Sequence, residues 1–181
     1  MRFRYFIFLP ALLFALLVFG AMASSRVEFP ATAPGTITFV GDAGSPNVFT
    51  VEQWKFDRLE RLDQPLQIGV TATLDMASIT CRWKDLEQSL HKKKDYFHSR
   101  KFATASITID GAAPGDTPGS YRANARVKMK GVTREIPIDF TLSGSGPYRL
   151  HATATIDRRQ FRFTGDGPKD EVPVTVDAVV E

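Results

Sequence analysis

The stretch 121-YRANARVKM-129 alternates without a break. Tyr121, Ala123, Ala125, Val127 and Met129 fall on one side of an extended chain, and Arg122, Asn124, Arg126 and Lys128 on the other. This period of two marks a strand with one dry and one wet face. Two of the dry-face residues are alanines, which are poor strand formers and fill little volume. Turning such small residues inward needs a physical reason.

The same alternation recurs on both sides of this stretch. Strand-like runs cover residues 35–41, 47–59, 65–79, 103–110, 120–130, 134–143, 148–158 and 171–180. Clusters rich in Gly, Pro and Asp separate most of them, including GDAGSP, GAAPGDTPGS, GSGP and TGDGPKD. Eight short strands with turn signals between them predict an all-β sandwich or barrel. One connection differs. CRWKDLEQSLHKKKDYF, residues 81–97, has neither Gly nor Pro and is rich in helix formers. Its apolar stripe, Trp83, Leu86, Leu90 and Phe97, predicts a helix over 82–95 lying across one end of the sheet.

The chain has 181 residues, and the first 23 read as a leader. Arg2 and Arg4 precede an apolar run from Tyr5 to Val18, and Ala21-Met22-Ala23 forms an A-x-A site before Ser24. That is the pattern of a cleaved secretory signal, leaving 24–181 as one domain exported to the periplasm. An uncleaved anchor is the rival, which Pro10 and the small-residue exit disfavour. With Arg2 and Arg4 set aside, 21 basic residues face 20 acidic ones, a net charge of +1. Such a balance argues against a nucleic-acid partner. Cys81 is the only cysteine, so no internal disulfide stabilises the domain, and it reads as a small half-buried residue at a strand end.

Inward positions follow from the alternation. They are Leu66, Ile68, Val70, Ala72 and Leu74 on the third run, and Ile136, Ile138, Phe140 and Leu142 on the sixth. The seventh supplies Leu150, Ala152, Ala154 and Ile156, and the eighth Val172, Val174, Val176, Ala178 and Val180. An eight-stranded barrel is the size at which the interior is either filled by side chains or holds one ligand. Ala72, Ala123, Ala125, Ala152 and Ala154 stand near strand middles, where a filled barrel wants bulk. Two readings stay open from the residues alone: closely approaching walls, or an apolar space kept for a guest.

Several stretches identify a resemblance. LDMASITCRWKDLEQSL, KKKDYFHSRKFATASITI, VKMKGVTREIPIDFTL, ATATIDRRQFRF and VPVTVDAVVE resemble the YceI-like proteins, and the Lys130-Gly131-Val132-Thr133-Arg134 hairpin is the most specific piece. The match departs from the family pattern in VGDAGSPNVF, which lacks an expected histidine, and in KFATAS, where Ala103 replaces a frequent proline. The resemblance implies an antiparallel lipocalin-like barrel of eight strands, with the helix between the third and fourth. It also implies that the barrel holds an isoprenoid or other amphiphilic chain, which gives the alanines their reason. The expected lining is Trp54, Phe56, Ile68, Val70, Ala72, Leu74, Phe97, Ala123, Ala125, Val127, Ile138, Phe140, Ala152, Ala154, Val174 and Val176.

Other motifs add less. HKKKDYFHSRK, residues 91–101, reads either as a basic aromatic rim for anionic lipid head groups or, more simply, as a solvated helix end. His91, His98 and His151 have no metal-ligand spacing, so neither a metal nor a cofactor is expected. Ser143-Gly144-Ser145-Gly146 is a turn and no nucleophile elbow. Arg158, Arg159 and Arg162 are expected to point to water. The sequence thus predicts a non-catalytic carrier. An enzyme acting on a barrel-bound lipid, or a protein delivering quinone-like molecules to a membrane redox partner, is the alternative. A homodimer is left open.

Overall fold

The computed structural model describes residues 27–41, 47–166 and 169–181. The leader assigned to residues 1–23 lies outside them. The described residues form β1 (Gly35–Val40), β2 (Val48–Val51), β3 (Trp54–Glu60), β4 (Gly69–Asp75), β5 (Ile79–Cys81), α1 (Lys84–Lys92), β6 (Thr104–Asp110), β7 (Ala113–Pro114), β8 (Ser120–Met129), β9 (Val132–Ser143), β10 (Tyr148–Asp157) and β11 (Glu171–Val180). The stretch 121–129 is the body of β8. Its alanines and Val127 are buried, and Arg122, Asn124, Arg126 and Lys128 are exposed.

All pairings are antiparallel, in the order β3-β4-β6-β8-β9-β10-β11-β1-β2-β5, with β7 beside β8. Since β2 runs on into β3 and β4 into β5, the two ends of this order belong to one ribbon, and the sheet curls round onto itself. Eight predicted strands therefore become eleven for two local reasons. The tiny β7 pairs with the start of β8. Two long runs are each broken once, at Glu52–Gln53 and at the 3₁₀ turn Met76–Ser78. The breaks face each other and stay bonded, Asp75 N–H to the Gln53 carbonyl at 2.9 Å and Glu52 N–H to the Ser78 carbonyl at 3.3 Å. The Ser78 hydroxyl accepts from Gln53 N–H at 2.9 Å, so the ribbon turns a corner with its backbone groups satisfied.

The circuit closes where β1 meets β11, from Gly35 opposite Ala178 to Phe39 opposite Val174. Gly35 is required there, because a Cβ would run into the Asp177 carbonyl of the neighbouring strand. Trp54 Nε1 donates to the Gly35 carbonyl at 3.1 Å, tying the fully buried indole to the same spot.

Helix α1 is shorter than the predicted 82–95. It starts after Trp83, which caps it without a side-chain hydrogen bond, and carries Asp85 and Glu87 in its first turn. It ends at Lys93, whose extended backbone still donates to the Ser89 carbonyl at 3.0 Å. One inward assignment is corrected: Leu66 is half exposed, because Pro65–Gln67 is a 3₁₀ turn and β4 begins only at Gly69. Among the described residues no helix is long and apolar enough to cross a membrane.

Candidate functional site

Among the described residues, a larger and a smaller cavity lie inside the curled sheet. The larger, of about 380 Å³, is bordered by β1, β2, β4, β6, β8–β11 and the inward side of α1. The smaller, of about 70 Å³, occupies the opposite part of the barrel, among Trp54, Phe56, Leu59, Leu62, Phe140 and Leu150. Trp83, 51% exposed, and the exposed Asp166 border the larger one and mark where it meets solvent. The predicted apolar stripe of the helix segment does face one way: Trp83, Leu86, Leu90 and Phe97 all line this cavity. Phe97 holds its place by edge-on contacts with Phe39 and Phe163, with ring centroids 5.7 and 4.9 Å apart.

The expected lining residues divide between the two spaces. Leu74, Phe97, Val127, Ala154 and Val174 border the larger cavity. Trp54, Phe56, Ile68, Val70, Ala72 and Phe140 border the smaller. Ile138, Ala152 and Val176 border both. Ala123 and Ala125 border neither. Ala125 is completely buried against Ile136, Phe161 and Phe163, and Ala123 against Ile68, Val70 and Phe140. Both readings of the small residues are therefore realised on different strands. On β8 they let bulky neighbours close in, and on β4 and β10 they leave space.

Lining residues outside the predicted set include Ile37, Phe39, Ala105 and Ile107. The alternation of GTITFV and TASITID carries them in plain sight, one face threonine and serine, the other apolar. Phe163 is different. It reaches the cavity from an irregular segment after the 3₁₀ turn Arg158–Phe161, where no strand period operates.

Charged groups gather at the helix end of the barrel. Arg158, expected to point to water, is instead largely buried, with its side chain 14% exposed. It borders the larger cavity and donates to the Gly165 carbonyl at 2.8 Å and the Lys169 carbonyl at 3.0 Å. The strand has ended before it, so alternation no longer sets its direction. Lys130 is buried. Its ammonium donates to the carbonyls of Lys94 at 3.0 Å and Arg162 at 2.8 Å, and lies 4.2 Å from the Phe163 ring centre. Burial pushes its pKa down, and Asp95 partly counters this. His91 shares a hydrogen bond with the buried Ser99 at 2.9 Å, and His151 pairs with Asp177 at 2.7 Å on the outer face. Among the described residues no three His, Cys, Asp or Glu side chains converge as metal ligands. The lining of the smaller cavity is wholly apolar apart from the satisfied indole of Trp54. Such a lining can sequester hydrocarbon, and the larger cavity adds Tyr96, Thr153, Arg158 and Asp166 to its apolar walls.

The profile of the YceI-like domain matches residues 22–180. No curated protein matches the chain. Among solved structures, BcnA of Burkholderia cenocepacia superposes with a TM-score of 0.73 at 18% identity, covering 81% of this chain and 96% of its own. A polyisoprenoid-binding domain from Saccharophagus degradans, implicated in plant cell wall breakdown, gives 0.59 at 11% identity over 82% of this chain and 94% of its own. The YCEI protein of Campylobacter jejuni gives 0.58 at 14% identity, over 74% and 84%. At these identities the likeness is one of fold.

Proposed function

The chain belongs to the YceI-like domain family, and from that premise we propose that it is a non-catalytic carrier holding a long apolar chain, of isoprenoid or similar lipid character, along the barrel axis. The observation that carries this reading is the larger cavity, about 380 Å³ and walled almost wholly by hydrocarbon. Its volume falls in the roughly 300–1,000 Å³ range of small-molecule pockets. The Saccharophagus domain, named for polyisoprenoid binding, supports the ligand class. Each buried CH₂ favours binding by about 0.8 kcal/mol, so a five-carbon isoprene unit contributes about 3–4 kcal/mol before ordering and association costs. Tight retention then requires no polar contact along the tail.

The way in supports loading from a membrane surface. Residues 82–101 carry seven Lys and Arg against three acids, beside the cavity mouth and the half-exposed Trp83. Basic side chains with an exposed indole suit an anionic lipid interface. The leader-like residues 1–23 support a periplasmic location, where such a carrier shields a water-insoluble chain in transit. Solvent extraction and native mass spectrometry of the purified protein test the reading. A co-purifying apolar molecule, or uptake of an added isoprenoid, is the expected result. A lipid-free preparation that also refuses isoprenoids overturns it.

A further inference from the structure

Ile37, Ile107, Ile138, Ala152 and Val176 border both cavities, so the two spaces meet at a common boundary made of side chains. We propose that this boundary is a constriction that sets the length of the bound chain, the larger chamber taking the chain and the smaller receiving its end only when the constriction yields. The inference rests on the carrier reading above and adds to it a determinant of chain length.

The register places these residues around the barrel. Ile37 on β1 faces Val176 on β11, and Val176 faces Ala152 on β10. Ile138 on β9 lies one step away, opposite Ala154. Ile107 on β6 stands between Ala72 on β4 and Val127 on β8. The bulky members thus come from four strands, while alanines beside Val176, Ile138 and Ile107 leave the surrounding space free. Three isoleucines and a valine are β-branched and stiff about χ1, so they form a better-defined stop than leucine or methionine would. Their side chains are pure hydrocarbon, so a chain passing between them meets no desolvation penalty. Beyond the stop, the smaller chamber is lined by Leu59, Leu62, Phe140 and Val180.

The two tryptophans of the sequence stand on opposite sides of this boundary, Trp83 at the larger cavity and Trp54 at the smaller. In a Trp83→Phe background Trp54 fluorescence therefore reports on the far chamber. The test titrates geraniol, farnesol and geranylgeraniol, each one isoprene unit longer than the last. Widening the stop with Ile107→Ala and Ile138→Ala should move the tightest-bound alcohol at least one unit up the series. Relative affinity for the longer chain should rise about tenfold, with a new Trp54 response. Narrowing it with Ala152→Leu should move the preference down. Should the double variant fail to fold, Ile138→Val carries the same test with a smaller shift. Folded variants that bind these alcohols in the unchanged order of affinity overturn the constriction while leaving the carrier reading intact. A wild-type protein shown by extraction to be lipid-free that binds none of the three overturns the carrier reading itself, and the constriction with it.

Discussion

Lys130 and Gly131 form a two-residue hairpin turn with φ of +51° and +71°, a left-handed pair that favours Asn-Gly and strains a lysine. The lysine is retained against that preference because its ammonium ties the carbonyls of Lys94 and Arg162 to the hairpin and lies over Phe163. It thereby fastens the segment after α1 and the segment after the Arg158–Phe161 turn to the end of the barrel. Lys130→Asn should improve the turn yet destabilise the protein by about 1–3 kcal/mol, since two carbonyls lose their donor. Urea denaturation measures this, and an equal or more stable variant would show that the tether carries no weight. Residue-level legibility followed the strand period. Ala72, Leu74, Ala152 and Val176 were readable as inward because alternation fixes which way a side chain faces, and Trp54 because an aromatic in a strand usually packs inward. Alternation could not separate Ala72 from Ala125, because whether a small residue leaves a gap depends on what packs opposite it. For Ala125 the answer is Phe161 and Phe163, which arrive from a turn with no period to read.

Among the elements, strand extents and the position of the helix were legible in turn residues and helix formers. The breaks at Glu52–Gln53 and Met76–Ser78 were not, since a corner is a relation between two strands and leaves no mark in either alone. The outer face of the barrel carries its own element-to-element ties. Asp110, at the end of β6, accepts from Arg58 on β3 and from Arg126 on β8, the latter at 3.0 Å. The hydrogen bond from Arg58, reinforced by the charges of Arg58 and Arg126, holds its carboxyl below the ordinary carboxylate range. A carboxyl depressed in the folded state contributes stability above its unfolded value and loses it as pH falls through the lowered folded value. Asp110→Asn should therefore be less stable than wild type at neutral pH, and the two should converge as pH falls through the lowered folded value. Parallel stability curves over that range would exclude the linkage. The helix end gives the second prediction at this scale. Changing Lys92, Lys93 and Lys94 to Gln should weaken binding to phosphatidylglycerol-containing vesicles about hundredfold, at about 1 kcal/mol per lysine. Added salt should weaken the wild type similarly. Wild-type protein that ignores such vesicles at low salt would remove the membrane step from the proposed route.

At the scale of the molecule, the lumen makes stability and occupancy one problem. Engineered closed voids cost about 24 cal/mol per Å³, so an interior space of about 380 Å³, if kept closed and dry, would forfeit at most roughly 9 kcal/mol. That is of the order of the whole stability of a domain, about 5–15 kcal/mol. A barrel with no disulfide has no covalent reserve against such a loss. In the proposed carrier a chain ligand would restore the missing contacts and would bind the folded state alone, because the unfolded chain has no lumen. Mass action then fixes the effect: ligand at a hundred times its Kd stabilises by about 2.7 kcal/mol. For a domain of this size each kcal/mol moves Tm by about 2–4 °C, so a saturating prenyl alcohol should raise the Tm of delipidated protein by about 5–10 °C. The rise should continue with ligand concentration after every site is filled, because the coupling depends on free ligand and not on stoichiometry. Scanning calorimetry across a farnesol series reads both features. A Tm indifferent to farnesol, in protein shown by extraction to be lipid-free, would mean that the lumen is tolerated empty and that its alanines keep space for nothing.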